Sequence, residues 1–235
     1  MIAIFLHIYY PDSLPDLLKL LGPLLNGNNY LFINLVRDTH PHIPEIQEQK
    51  NIIVVRSTNK GKDVGGKLVL LDLYLRLGIK SEQMIFLHDK KSPHTATGSF
   101  WKSELYKIID EKYWPIIVAA FEQKKDLGII GSKTFIHNEW NGKTKQFEST
   151  NHTILLSLVN EYGFSLQDYS FVAGTMFWVR SAIYEKFFLQ HMPLSIRATL
   201  EEGDVLDLDS GSFTHAWERM LSWIVTEQGY KLYGI

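Results

Sequence analysis

Cysteine is absent from this chain of 235 residues. That excludes disulfides, thiolate metal sites and a cysteine nucleophile together, and it fits a reducing compartment. An excess of charge is missing too: 24 Lys and Arg stand against 26 Asp and Glu, a formal net charge of −2. Without a global field to draw in a polyanion, nucleic acid is not an expected partner, although a local basic cluster can still hold a phosphate group. No apolar run reaches the length of a membrane span. The opening MIAIFLHIYY is apolar but short, lacks a basic leader and a small-residue cleavage site, and is interrupted by His7. It therefore reads as a buried first strand rather than a signal peptide. Internal repeats and low-complexity linkers are also missing. The expectation is one cytoplasmic domain over residues 1–235, with peripheral contact at the inner face of a membrane left open.

What is present is strongly patterned. Hydrophobic residues make up 45% and charged residues 21%, so extended disorder is not expected. The 13% aromatic content suits stacking on a sugar and suits a core equally. After the first strand, Asp12 or Ser13 is placed to cap a helix carrying Leu17, Leu18, Leu20, Leu21, Leu24 and Leu25 at helical spacing. Residues 30–36 and 51–56 read as the second and third buried strands, with a short polar helix between them at 44–49. A helical pattern follows at 68–77, and residues 84–87 form a fourth strand. Strands alternating with helices at this spacing predict an α/β fold with a mainly parallel central sheet flanked by helices. Ligands of such sheets sit beyond the carboxyl ends of the strands, where His7 and the polar segments after the third and fourth strands fall.

The second half is less regular. A helix is predicted over 113–124, a strand over 127–131, a polar loop or lid over 135–150, and a helix over 152–162. Residues 171–180 alternate like a strand with Gly174 inside it. An acidic loop at 201–211 leads into an amphipathic helix at 213–228 and a last strand at 231–235. Residues 1–131 thus form a regular half and residues 132–235 a less regular one.

Four segments are suited to chemistry. Asn59-Lys60-Gly61-Lys62-Asp63-Val64-Gly65-Gly66 joins a strand to a helix. Its glycines allow close backbone approach, the helix start offers N–H groups to an anion, and Asp63 can accept from a ribose or base. The same pattern also describes a tight turn in which Asp63 caps the helix. His88-Asp89-Lys90-Lys91-Ser92-Pro93-His94 leaves an apolar strand with a carboxylate, two imidazoles and two ammonium groups, which can neutralise a diphosphate directly or through a metal on Asp89. Gly174 marks a close approach or a bulge. Asp204, Asp207 and Asp209 precede the helix bearing His215, Glu218 and Arg219. There a carboxylate can act as a general base, or Asp209 or Ser210 can serve as a cap beside an ordinary Glu–Arg surface.

Taken in order, residues 59–65, 88–94, Ala173-Gly174-Thr175-Met176-Phe177-Trp178 and residues 211–219 resemble the rhamnan synthesis protein F family, bacterial glycosyltransferase-like proteins of surface polysaccharide assembly. The resemblance implies a GT-A-like fold, with a nucleotide-sugar-binding half over 1–131 and an acceptor and catalytic half over 132–235. It implies transfer of a hexosyl unit, rhamnosyl or galactosyl including the furanose form, from a UDP- or dTDP-linked donor to a glycan or lipid-linked glycan acceptor, within a larger polysaccharide assembly enzyme. His7, Asn59, Lys60, Gly61, Asp63, His88, Asp89, Lys90, Lys91, His94, Gly174, Thr175 and Arg219 are the expected donor-site residues. Asp209, Glu218 and His215 are the expected catalytic ones, with inversion at the sugar. A metal-binding Asp-x-Asp after the fourth strand, usual in many GT-A enzymes, is missing. Asp89 is thus the one carboxylate there for Mg²⁺ or Mn²⁺. A glycan-binding module without catalysis and a metal-dependent phosphate-ester hydrolase are the competing readings.

Overall fold

The apolar opening does form a strand, β1 (Ile2–Ile8), buried along its whole length. The computed structural model describes residues 1–25, 27–37, 51–90, 98–203 and 210–235. After β1 come α1 (Leu14–Leu21), β2 (Tyr30–Leu35), β3 (Ile52–Arg56), α2 (Lys62–Arg76) and β4 (Gln83–His88). Then follow α3 (Gly98–Tyr106), α4 (Trp114–Gln123) and β5 (Leu127–Gly131), and three short strands, β6 (Ile136–Asn138), β7 (Trp140–Asn141) and β8 (Gln146–Phe147). The chain ends with α5 (His152–Glu161), β9 (Ser170–Val172), β10 (Phe177–Arg180), α6 (Ser181–Phe188), α7 (Pro193–Thr199), α8 (Phe213–Glu227) and β11 (Lys231–Gly234).

Seven strands make the central sheet in the order β11-β5-β10-β4-β1-β2-β3. All its neighbours are parallel except β10, which runs antiparallel to both β4 and β5. From β1 the chain steps outward to β2 and β3, then returns to the other side of β1 for β4. The strand order therefore reverses between β1 and β4, and the crevice at such a reversal is where ligands of open α/β sheets bind.

Strand parity assigns the two faces. Ala3 and Phe5 of β1, Phe32 of β2, and Met84 and Phe86 of β4 pack into one core with Leu70, Leu71 and Tyr74 of α2. Ile4, Leu6 and Ile8, Leu31 and Ile33, and Ile85 and Leu87 pack into the opposite core with Leu14, Leu17 and Leu21 of α1. Side chains two apart share a face, so His7, Asn34 and His88 continue the rows that lie under α2. Register places His7 directly beside both Asn34 and His88.

Several local expectations change. The helix predicted at 68–77 begins at Lys62, so Gly65 and Gly66 lie within it rather than in a loop. Glycine is a poor helix residue, but a Cβ on Gly66 would stand 1.9 Å from His7 Nδ1, and one on Gly65 would stand 1.9 Å from the Lys60 carbonyl oxygen. The close approach at Gly66 serves the helix-to-sheet contact, and that at Gly65 the tight entry of the chain into α2. Residues 171–180 are not one strand: β9 pairs with β6 in a separate small sheet, while β10 enters the central one. The 135–150 stretch is not only loop, since it carries β6 and the β7–β8 hairpin. The cap of α8 is Ser212, whose side chain accepts the His215 N–H, not Asp209 or Ser210. Ser13 stands at the cap position of α1 without a side-chain capping bond. The helix expected at 44–49 lies outside the described residues.

Candidate active site

The carboxyl edge of β1, β2 and β4 carries the polar row Asn34–His7–His88, each member buried. Over it sits the first turn of α2. Asn34 Nδ2 lies 3.0 Å from His7 Nδ1. Next to Gly66, Lys67 points down into the sheet edge with only 1% of its surface exposed. Its ammonium donates to Asp63 Oδ2 at 3.0 Å, to His88 Nδ1 at 3.0 Å and to the Thr175 carbonyl at 2.9 Å, and also contacts Thr175 Oγ1. Thr175 Oγ1 in turn donates to Asp63 Oδ2. Asp63 is therefore not the helix cap that a tight turn would make it. It is the counter-ion of a buried lysine one helical turn on, the i,i+4 arrangement in which side chains meet on one face.

The electrostatics follow from burial and these partners. Burial alone would raise the Asp63 pKa, but Lys67, His88 and the Thr175 hydroxyl outweigh it and hold the carboxyl well below the ordinary range. Burial pushes Lys67 down, against the pull of Asp63 and Glu218. Burial pushes His7 down to about 4, with Lys67 and Arg197 adding to the effect and Asp63 opposing it. Burial and Lys67 take His88 well below its usual value, with Lys90 and His7 acting the same way and Asp63 against. Both imidazoles are neutral near pH 7.

Two cavities open on this cluster. One of about 310 Å³ is lined by His7, Tyr9, Tyr10, Asn59 and Asp89. The other, of about 210 Å³, is lined by Gly174, Thr175, Thr214, His215 and Glu218. Lys62, Asp63, His88 and Lys90 belong to both walls, so the cavities adjoin across the cluster. The backbone is strained at both: Lys62 (φ +49°) and Thr175 (φ +50°) follow the left-handed Gly61 (φ +71°) and Gly174 (φ +78°). Left-handed backbone is unfavourable for a side chain with a Cβ, most of all a β-branched one, and persists only where surroundings over-determine it. Here Lys67 and Asp63 fix Thr175 from three directions.

The α8 wall is built differently. Glu218 accepts the Gly174 N–H at 2.6 Å and pairs with Arg219 at 2.8 Å. Burial raises its pKa, and the opposing effects of Arg219 and Gly174 do not cancel the rise. Arg219 does not line either cavity. It donates to buried Glu139 at 3.1 Å and to the His215 carbonyl at 3.0 Å, and covers the Phe171 ring at 4.6 Å, tying the β6–β7 segment to α8. His215 Nδ1 meets the Ser212 hydroxyl at 2.7 Å. The N-terminus of α8 is closed by Glu201, which accepts the N–H groups of Phe213 and Thr214 at 2.6 and 2.9 Å.

Other expected residues fall as follows. Lys60 turns away from the cavities to pair with Glu202 at 3.2 Å. Gly61 donates its N–H to the Glu201 carbonyl at 2.8 Å. The Asp89 carboxylate accepts the backbone N–H groups of Tyr9, at 3.0 Å, and Tyr10, and so anchors the end of β1. Lys91, His94 and Asp209 lie outside the described residues. Sequence reading missed Asn34, Lys67, Glu139, Glu201 and Tyr106, whose hydroxyl donates to the His88 carbonyl at 2.9 Å and accepts the Lys90 N–H at 3.1 Å. Two of these left a signal: Asn34 is polar inside an apolar strand, and Lys67 stands four residues after Asp63. Among the described residues, no group of three or more His, Asp or Glu is placed to hold a metal ion, and no helix is long and apolar enough to cross a membrane.

Fold and site together define an α/β protein with a polar, lysine-bearing double cleft at the switch point of its sheet. The chain matches the family described as rhamnan synthesis protein F across residues 1–230, and it belongs to that family. It is also 26% identical over 178 residues to the uncharacterized protein WxcX of Xanthomonas campestris pv. campestris strain B100, and to the same degree to WxcX of a second strain of that pathovar. Those alignments cover 74% of this chain and 24% of each relative, so the chain spans about a quarter of the length of the curated relatives it matches.

Proposed function

We propose that this chain is a glycosyltransferase with a GT-A-like fold. It moves a hexosyl unit from a UDP- or dTDP-linked donor to a glycan or lipid-linked glycan acceptor in polysaccharide synthesis, as one module of a larger assembly enzyme. The observation that carries this reading is the pair of adjoining cavities sharing Lys62, Asp63, His88 and Lys90. Transfer between two substrates needs two compartments that meet at one reacting bond, with fixed positive charge where the leaving group departs. The cavity beside His7 and Asn59 takes the nucleotide diphosphate, and Lys62 and Lys90 neutralise it. The cavity beside Glu218 takes the acceptor.

Glu218 is the general base in this reading. A buried carboxylate with a raised pKa accepts a proton better near neutral pH, and each of its oxygens keeps a second lone pair beyond the bonds to Gly174 and Arg219. The acceptor hydroxyl gives its proton to Glu218 as its oxygen bonds to the anomeric carbon. The bond from that carbon to the phosphate oxygen breaks, and its electron pair leaves with the nucleoside diphosphate, inverting the centre. Mg²⁺ or Mn²⁺ finds a poor donor set among the described residues. No three His, Asp or Glu side chains come together to hold an ion among the described residues, and Asp63 Oδ2 is committed to Lys67 and Thr175. No step is therefore routed through a metal.

Calorimetric titration with UDP, dTDP and GDP, with and without Mn²⁺, tests the reading. Binding of UDP or dTDP is the expected result. Absence of binding to every nucleotide sinks it, and turnover of phosphate esters without an acceptor favours a hydrolase instead.

A further inference from the structure

The two imidazoles at the sheet edge receive hydrogen bonds on the same ring atom from different elements. Lys67 is an ammonium with donors only, so across the 3.0 Å contact His88 Nδ1 takes the accepting role, with Asp63 Oδ2 3.4 Å from the same nitrogen. Asn34 presents its Nδ2 to His7 Nδ1 at 3.0 Å. The reverse amide orientation would bury two unpartnered N–H donors. The observed one leaves the Asn34 Oδ1 carbonyl and one Nδ2 proton without a bond among the described residues. Gly66 makes this arrangement possible, since any Cβ there would clash with His7 Nδ1 at 1.9 Å. In a neutral imidazole whose Nδ1 accepts, the proton sits on Nε2. Both rings line the same cavity, side by side in register.

We propose that Asn34 and Lys67 are positioning residues that fix the ring protons of His7 and His88 on Nε2, so that the two imidazoles act as a paired N–H clamp for the diphosphate. This rests on the nucleotide-sugar reading. Their burial, which keeps both rings uncharged, is consistent with it. Lys62 and Lys90 supply charge from the shared wall of the cavities. The imidazoles supply direction, because they are held by strand register and by a second layer of hydrogen bonds.

The test begins with the unmodified chain. Long-range ¹H–¹⁵N correlation spectra at pH 7.5 should show His7 and His88 as Nε2–H tautomers. A proton on Nδ1 of either ring, or on both nitrogens of either, overturns the proposal even if UDP binds, and leaves the nucleotide reading standing. If the tautomers are as stated but neither UDP nor inorganic pyrophosphate binds, the clamp has no ligand and both readings fall. Calorimetry on variants then isolates the positioning role. Asn34→Leu should weaken UDP binding by roughly 10-fold or more, the equivalent of losing one hydrogen bond to a charged group. In a His7→Gln background, which removes the ring that Asn34 orients, the same change should cost nothing further. Additive losses would show that Asn34 acts on the fold rather than through His7.

Discussion

The two walls of the cleft spend charge in opposite ways. On the sheet side, Lys67 is sealed from solvent and shared among Asp63, His88 and Thr175, so a single cation organises residues from β4, α2 and the β9–β10 turn. On the α8 side, Arg219 bonds Glu139, Glu218 and a carbonyl of its own helix, and its guanidinium is covered by Phe171. The first arrangement leaves neutral imidazoles facing a cavity. The second leaves a carboxylate whose proton affinity has been raised. A cleft that must bind an anion on one side and take up a proton on the other needs this asymmetry, and it is produced by where each buried cation is placed.

Removing the sheet-side cation should have the largest effect. Lys67→Met strips Asp63 of its counter-ion and the Thr175 carbonyl of its donor, and should destabilise the fold by about 3–5 kcal/mol, the range for breaking one partner out of a buried pair. Urea unfolding would read the loss. A change below about 1 kcal/mol would mean that the cluster is not the organising centre described above. On the other wall, Glu218→Gln keeps an acceptor for the Gly174 N–H but cannot take a proton. It should lower the transfer rate by about 10²–10⁴-fold with UDP affinity unchanged, and full activity would remove Glu218 as the base.

The smallest effect separates the walls by sign. His7 has its pKa lowered in the fold, so the unfolded chain binds more protons between the ordinary value of 6.5 and about 4. Stability rises with pH through that window and is lost as pH falls through it. From pH 7 to pH 5 the loss from His7 is about 2 kcal/mol, and His88 adds to it in the same direction. Glu218 works the other way, because its raised pKa makes the folded state the better proton binder. Glu218→Gln should therefore steepen the acid-side fall in melting temperature. A fall that becomes shallower in that variant would contradict the assignment of charge on the α8 wall.

Much of the sheet side was legible in the sequence. The alternation in IAIFLHI and QMIFLH carries His7 and His88 to the ends of parallel strands, and crossover spacing puts those ends together at the switch point. The role of Lys67 was hidden because a lysine inside a helical pattern reads as solvated, and its burial depends on Thr175, 108 residues away. Gly65 and Gly66 looked like ligand-loop glycines, whereas Gly65 makes room for the local Lys60 carbonyl and Gly66 for His7, a partner fixed only by tertiary packing. On the α8 side, Arg219 carried a motif-level signal, but its acidic partner Glu139 lay in a stretch that reads as loop and holds it from 80 residues away. The bonds from Glu201 to the first N–H groups of α8 were obscured by the run of acidic residues after it.

The seclusion of Lys67 also makes it a chemical clock. Amine-reactive reagents label lysines in proportion to their access and to their unprotonated fraction. An ammonium with 1% exposure and all its protons engaged is shielded on the first count while the cluster stays closed. Exposed amines such as Lys80 and Lys231 react without any opening. The lag of Lys67 behind them, read by peptide mass mapping, would report how often the floor of the cleft opens, and whether a bound nucleotide keeps it shut.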